Sequence, residues 1–201
     1  GARIPGAGKV DVEGVALALG DRVAAIGRGI GYVPGDRHSH GLFPVLPALT
    51  NASASLTRHL SRFGILSGRR ESAALTPWLR RLNVQPFNLD LTAAQFSGGN
   101  QQKMVVARNM ALPHLKLLVL LEPTRGVDVG ARRLIHDTIV AAAQDGVAVL
   151  IASSDLDEIL ALSHRIYVIK DHAVRSELQD GATRSAIMDA LATVTSEGIP
   201  A

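Results

Sequence analysis

The sequence predicts an α/β fold with a mainly parallel sheet, a small antiparallel portion and a helical insertion. Short apolar runs alternate with stretches of helical periodicity between residues 97 and 170. Such alternation is typical of parallel strands joined by crossover helices. The run Leu117–Leu121 contains no polar residue, which is the pattern of a strand covered on both faces.

Composition excludes several classes of protein. Of the 201 residues, 47% are apolar and 19% are charged, which argues against a disordered or coiled-coil chain. The net charge is only +3, and its basic pairs are scattered, so we expect no nucleic-acid partner. The chain has no cysteine, which excludes disulfides and thiolate chemistry. Its apolar runs are much too short to span a bilayer.

The first forty residues predict a hairpin followed by a strand. Apolar and polar residues alternate over residues 10–19, around a Glu13-Gly14 turn. Residues 29–34 then form a short strand that ends at a proline, and residues 35–41 form a polar loop. These elements would make the small antiparallel portion and the first strand of the sheet.

Residues 44–92 predict a mainly helical subdomain. Four apolar residues recur there at the helical period: Leu75, Trp78, Leu79 and Leu82. Because proline is favoured in the first turn of a helix, we expect Pro77 to open this one.

Strands and helices alternate after residue 97. Residues 147–152 predict a second buried strand, and Gly146 would end the helix before it. The predicted elements are a helix at 99–111, a strand at 117–121, a helix at 129–144 capped by Asp128, a strand at 147–152, a helix at 155–162, a strand at 165–170 and an amphipathic helix after residue 181.

Two segments carry candidate chemistry. Ser97-Gly98-Gly99 opens a predicted helix, where a hydroxyl and unpaired amides can bind an anion, although an ordinary helix cap would have the same sequence. Glu122 directly follows the buried strand, at the end of the sheet where α/β proteins bind ligands. Its carboxylate could position or activate a water for attack on a phosphate.

Together these segments resemble a known family. They match, in order, the motifs of the second nucleotide-binding domain of bacterial carbohydrate ABC importers of the ribose, galactose and xylose type. The resemblance covers about residues 8–178, and it rests on residues 31–37, 97–103, 122–131 and 153–158. It implies an ABC ATPase domain with a P-loop NTPase-like fold.

The resemblance also implies residue roles. The signature residues that would bind the γ-phosphate of an ATP held by a partner domain are Ser97, Gly98 and Gly99, with Gln101 close by. Asp128 matches the aspartate that crosses the dimer interface, and Glu122 matches the catalytic glutamate. ATP and Mg²⁺ would therefore be shared with another ABC nucleotide-binding domain.

The family organisation implies four segments and a location. We expect a partial β-subdomain at 1–43, a helical subdomain at 44–95, the signature and catalytic α/β core at 96–180, and a helix and tail at 181–201. The helical subdomain would contact membrane permease subunits. The chain would then be peripheral, at the cytoplasmic face of the inner membrane.

The sequence departs from the family at the phosphate-binding loop. Residues 6–9 resemble its end, but Arg3 replaces the first glycine of the motif and Val10 replaces its hydroxyl residue. The segment also enters a hairpin and not a helix. The resemblance therefore implies an N-terminally truncated domain that begins downstream of the true loop.

Three further departures concern the catalytic centre. Leu121 stands where the family has the aspartate that holds Mg²⁺, and an apolar side chain cannot bind a hard cation. Gly35 replaces a glutamate. Ser154 stands where typical ABC domains have the switch histidine, which the resemblance implies is normal for the second domain of this family. We expect no ATP hydrolysis by this chain alone.

Two alternatives remain at this point. The chain could be a non-catalytic ABC-derived interaction module or a decayed fragment. A DNA-repair or chromosome-structure ATPase head shares the signature, but such heads carry long coiled coils, and no heptads occur here.

Overall fold

A computed structural model describes residues 8–192 of the chain. By compactness the chain divides into two units, Gly1–Leu150 and Ile151–Ala201. Residues 6 and 7 of the loop-like segment and the predicted tail beyond residue 192 lie outside the described residues. The predicted boundaries at residues 43, 95 and 180 stay a prediction.

The first unit begins with the predicted hairpin. Its strands pair antiparallel around the Glu13-Gly14 turn. The elements of the unit are β1 (Asp11–Val12), β2 (Val15–Ala16), α1 (Arg22–Gly27), β3 (Ile30–Val33), α2 (Arg37–His40), α3 (Ala48–Ser53), α4 (Thr57–Leu60), α5 (Gly68–Arg81), a 3-10 turn (Ala93–Gln95), α6 (Gly98–Met110), β4 (Leu117–Leu121) and α7 (Val129–Gln144). Strand β5 (Ala148–Ala152) begins in this unit and ends two residues beyond its last residue, Leu150.

The central sheet has the strand order β3-β4-β5. β3 and β4 run parallel, with Ile30 opposite Leu117 and Val33 opposite Leu120. This pairing confirms the predicted α/β architecture. Since parallel strands end at the same edge, the residues that follow β3 and β4 are brought together there.

Helix α6 passes through the interior of the first unit. Every residue from 101 to 110 is buried, including Gln102, Arg108 and Asn109. The Asn109 side chain accepts from the Tyr32 amide at 2.8 Å and donates to the Tyr32 carbonyl at 3.1 Å. One amide side chain therefore satisfies both backbone groups of a β3 residue and fixes α6 beside that strand.

The helical insertion packs around α3, α5 and α6. Asn51 is fully buried, and its side chain bonds backbone groups of Phe43, Leu46 and Pro47. The Asn51 carbonyl accepts from Arg108 Nε at 2.7 Å. Burial lowers the pKa of Arg108 to about 10.

Helix α5 differs from the prediction at its start. It begins at Gly68, nine residues before Pro77, so the expectation that Pro77 opens it is wrong. Leu75 and Leu79 are buried on its inner face as the periodicity predicts. Packing of that face holds the helix despite the missing proline donor, because tertiary contacts outweigh local preference.

Strand β5 is more exposed than the sequence predicts. The sequence predicts cover on both faces, but Ala148, Leu150 and Ala152 alternate as exposed positions, and 57% of Leu150 is exposed. An apolar strand with one open face favours association with other apolar surfaces.

We expect Leu150→Thr to lower self-association of the chain, because threonine suits a β-strand and removes apolar surface from β5. Static light scattering over a range of concentrations measures the change. Val140→Thr, at another exposed apolar position but on α7, is the matched control. Equal scattering by both variants and the parent chain would contradict the expectation.

The second unit is an antiparallel hairpin with two helices. It contains α8 (Leu156–Leu162), β6 (Arg165–Lys170), β7 (Ala173–Gln179) and α9 (Arg184–Ala192). Ile166, Val168 and Ile187 form its core. The helices and β6 lie where they were predicted, but β6 pairs antiparallel with β7 and does not belong to the parallel sheet. Neither β7 nor α1 had been predicted, and α2 lies within the predicted loop at 35–41. Among the described residues, no helix is both long and apolar enough to cross a membrane.

Candidate functional site

Ser97 caps α6 and leaves its hydroxyl proton available. Its Oγ accepts from the Asn100 amide at 3.4 Å and from Asn100 Nδ2 at 3.0 Å. With both bonds accepted, the exposed hydroxyl can still donate outward. The first amides of any helix also have no intrahelical acceptor, so Ser97, Gly98 and Gly99 present donors together at the positive end of the helix dipole.

Two glutamines anchor the first turn of α6. Gln101 Nε2 donates to the carbonyls of Ala93 and Phe96, at 3.0 and 3.1 Å. Gln102 Nε2 donates to the Pro123 carbonyl at 2.8 Å and joins α6 to the segment after β4. Gln101, which the resemblance places near the phosphate, is buried in this structure and supports the turn from below.

Asp128 lies beside the same turn. It caps α7 by accepting from the Ala131 amide at 2.9 Å, and this bond is the main reason that its pKa is lowered. A Cβ built on Gly99 would lie 2.9 Å from Asp128 Oδ2, so any larger residue at position 99 would force the carboxylate to shift. The structure thus brings together two predicted site residues that are 29 positions apart in sequence.

Lys103 is a buried cation behind the first turn of α6. Its Nζ donates to the Asn83 carbonyl at 3.0 Å. Burial lowers its pKa, and the charge of Asp128 opposes that change. The amino group therefore adds positive charge to this region without projecting from it.

Glu122 follows β4 directly, as predicted. Its φ of 47° lies in the left-handed region, which non-glycine residues rarely adopt and which often marks functional sites. Gly35 lies alongside, since a Cβ built on it would be 3.7 Å from Glu122 Cβ and 3.6 Å from the Leu121 carbonyl. A larger side chain at position 35 would fit at ordinary contact distance, next to the carboxylate.

Arg37 was not predicted as a site residue. Its NH1 donates to the Arg125 carbonyl at 3.0 Å, and its NH2 would lie 2.5 Å from a Cβ built on Gly98. The guanidinium therefore covers Gly98. No periodicity or spacing signals this contact, because it joins segments 61 and 88 residues away.

Other predicted positions lie elsewhere. Ser154 follows β5 in the second unit. No cluster of three His, Asp or Glu side chains suited to a metal occurs among residues 8–192. Lys9 is exposed and pairs with Asp11 at 3.3 Å, as expected of a hairpin residue.

Comparison with known proteins identifies the relatives. The chain is 40% identical over 192 residues to the xylose import ATP-binding protein XylG of Burkholderia ambifaria, covering 94% of this chain and 37% of that protein. The chain is a homologue of the sugar-import ATP-binding proteins.

A second relative agrees with the first. This chain is 34% identical to the ribose import ATP-binding protein RbsA of Yersinia pestis, and the match covers 98% of this chain and 39% of that protein. The chain therefore spans somewhat more than a third of the length of these curated relatives, and it matches their C-terminal part. No protein-family model matches the sequence.

Solved structures identify the fold. The ATP-binding cassette MJ0796, solved as a dimer in a post-hydrolysis state with ADP and Pi, gives a TM-score of 0.75 at 23% identity. The match covers 90% of this chain and 77% of that cassette. This chain thus has the P-loop NTPase-type fold of an ABC ATPase cassette, which confirms the predicted fold class.

Proposed function

We propose that this chain is an energy-coupling domain of a sugar ABC importer and offers its signature turn, residues 97–99, to ATP held by a partner domain. The observation that carries the proposal is the geometry of that turn. The exposed Ser97 hydroxyl lies at the start of α6, next to the helix-start amides of the half-buried Gly98 and the buried Gly99, with Asp128 beside Gly99. Such a group of donors suits the oxygens of a terminal phosphate.

Each site residue has a distinct role in this proposal. Ser97 donates its hydroxyl proton, and the amides of Gly98 and Gly99 donate to the same phosphate. Gln101 holds the turn through its bonds to Ala93 and Phe96. Asp128, whose side chain lies on Gly99, would contact the partner domain from this surface.

The donor set for Mg²⁺ does not fit this chain. Carboxylate oxygens are preferred by Mg²⁺, but the residue at the end of β4 is the apolar Leu121 and the facing residue is Gly35. Of the three neighbouring residues Gly35, Leu121 and Glu122, Glu122 alone has a carboxylate. We therefore propose that the metal and most phosphate contacts come from the partner domain, and that the chain does not hydrolyse ATP alone.

The helical subdomain is proposed to dock on permease subunits at the cytoplasmic face of the inner membrane. It exposes apolar side chains that a solvated surface would not need, among them Val45 at 80% and Phe63 at 91%. The relatives are named as import proteins, and such proteins act with a membrane permease.

ATP-dependent association tests the proposed function. The partner is a complete ATP-binding domain of a sugar-import relative whose catalytic glutamate is changed to glutamine, so that ATP persists. Analytical ultracentrifugation with and without ATP should show a complex only with ATP. Ser97→Arg should weaken it at least tenfold, since the added side chain fills the phosphate position.

The matched control is Ser67→Arg, the same substitution at the N-cap of α5, and it should leave association unchanged. Association that ignores ATP, or that Ser97→Arg leaves intact, would contradict the proposal. Absence of any complex would favour the alternative, a non-catalytic ABC-derived interaction module, for which the replacements at Leu121 and Gly35 are the supporting observation.

A further inference from the structure

Arg37 lies across the surface on which the signature turn is exposed. The residue belongs to α2, whereas its guanidinium contacts Gly98 at the start of α6 and the carbonyl of Arg125 after β4. The Arg37 side chain thus contacts two separate segments, the start of α6 and the turn after β4. Neither the relatives' names nor the sequence motifs assign it a role.

The local structure holds Arg37 in this place. Asp36 caps α2 by accepting from the amides of His38 and Ser39 at 2.9 and 3.2 Å, and it also accepts from the Ser39 hydroxyl at 2.7 Å. These bonds lower the pKa of Asp36, the Ser39 hydroxyl contributing most. Gly41 closes the helix, and a Cβ built there would lie 2.8 Å from Arg37 Cα.

Glycines on the other side accommodate the guanidinium. A Cβ on Gly98 would lie 2.5 Å from Arg37 NH2, which is closer than real Cβ atoms approach a neighbouring atom. A Cβ on Gly126 would lie 3.8 Å from both NH1 and NH2. The planar head therefore lies against both glycines, and a side chain at position 98 would force the Arg37 head to move.

Charge attraction does not explain the contact. The start of α6 is the positive end of its dipole, which disfavours a nearby cation. Arg37 Nε is enclosed and has no hydrogen-bond partner among the described residues. What keeps the head in place is the bond from NH1 and the flat fit against glycine, features that arginine has and lysine lacks.

We propose that Arg37 is a positioning residue that joins the signature turn to the 125–126 turn, so that Ser97 and the helix-start amides are presented as one rigid surface. The effect of Arg37 on the affinity for an ATP-loaded partner domain rests on the proposed function. The contact itself is a property of this chain.

A double-mutant cycle on the chain alone tests the contact. Gly98→Ala should lower the melting temperature by about 2–6 °C, because the methyl group displaces Arg37. In an Arg37→Ala background, the same change should be neutral or raise it, since alanine is the better helix residue. Equal changes in both backgrounds would overturn the proposal. Arg37→Gln serves if Arg37→Ala folds poorly.

Arg125→Ala is the matched control for the cycle. It removes one positive charge from the same surface while leaving the carbonyl that Arg37 bonds. Gly98→Ala should therefore lower the melting temperature as much in this background as in the parent chain. The amide NMR chemical shifts of Gly99 and Gly126 should change in Arg37→Lys and stay unchanged in Arg125→Ala. Unchanged shifts in Arg37→Lys would contradict the proposal that Arg37 joins the two turns.

The association assay separates positioning from loss of stability. Arg37→Ala should weaken ATP-dependent association about tenfold, and Arg37→Lys should fail to restore it. Ile139→Val, a buried change on α7 that lowers stability by a similar amount, should leave association unchanged. Restoration by lysine would show that charge alone matters and would overturn the proposal. If the parent chain forms no complex, the proposed function fails, while the cycle and the NMR shifts still decide whether Arg37 joins the turns.

Discussion

The 201-residue chain by itself is expected to release no phosphate from ATP above background in a malachite-green assay containing Mg²⁺. Phosphoryl transfer depends on positioned positive charge from a lysine, a metal and loop amides. Removal of one such donor costs on the order of 10²–10³ in rate. The sequence contains no complete phosphate-binding loop, and Leu121 and Gly35 replace two polar residues of the family pattern, so the combined loss should exceed detection.

Two variants make this expectation sharp. Glu122→Gln should give the same background rate as the parent chain, because no turnover exists for the carboxylate to support. Leu121→Asp should restore none, since one carboxylate does not replace the loop and its lysine. Mg²⁺-dependent turnover that Glu122→Gln removes would show that the chain is a complete catalyst and would contradict the proposed function.

Gly29→Ala is expected to destabilise the first unit by about 3–5 kcal/mol. Gly29 has a φ of +79°, and a Cβ built on it would lie 2.1 Å from the His114 carbonyl oxygen. That atom belongs to the backbone, so no side-chain rotation can relieve the overlap. The Gly29 carbonyl also accepts from the amides of Lys116 and Leu117, at 2.8 and 3.2 Å.

The start of β3 is therefore fixed against the start of β4, and this contact sets the register that brings Gly35 beside Glu122 at the far end. Thermal unfolding should show a decrease in melting temperature of about 6–20 °C. Gly27→Ala, two residues away in α1, has nothing within 4 Å of its Cβ and an ordinary φ. It should be neutral or slightly stabilising. Similar unfolding of the two variants would refute this account.

Local patterns predicted the parts of the site that depend on near neighbours. The helix starts at Ser97 and Asp128 follow from side chains that accept amides three residues ahead, at Asn100 and Ala131. The position of Glu122 follows from the apolar run before it. These features could be predicted because their causes lie within a few residues of each other.

Burial was less predictable, because it depends on neighbours that are remote in sequence. The apolar run of β5 resembles that of β4, yet only β4 has alternate residues, Leu118 and Leu120, at 0% exposure. Pro77 carries a strong local preference for a first turn, yet it lies within α5 because Leu75 and Leu79 are buried on either side of it. In both cases packing determined the result.

The sequence by itself determined the fold class, the resemblance to sugar-import ATP-binding proteins and the polar groups available at residues 97–99, 122 and 128, because motif spacing and helix caps are local properties of the chain. Tertiary structure alone decided that Asp128 lies on Gly99 and that Arg37 covers Gly98. Both contacts join residues far apart in sequence, and each requires the absence of a Cβ on the glycine. Whether a position has room for a Cβ depends on neighbours that are remote in sequence, and only the tertiary structure places those neighbours.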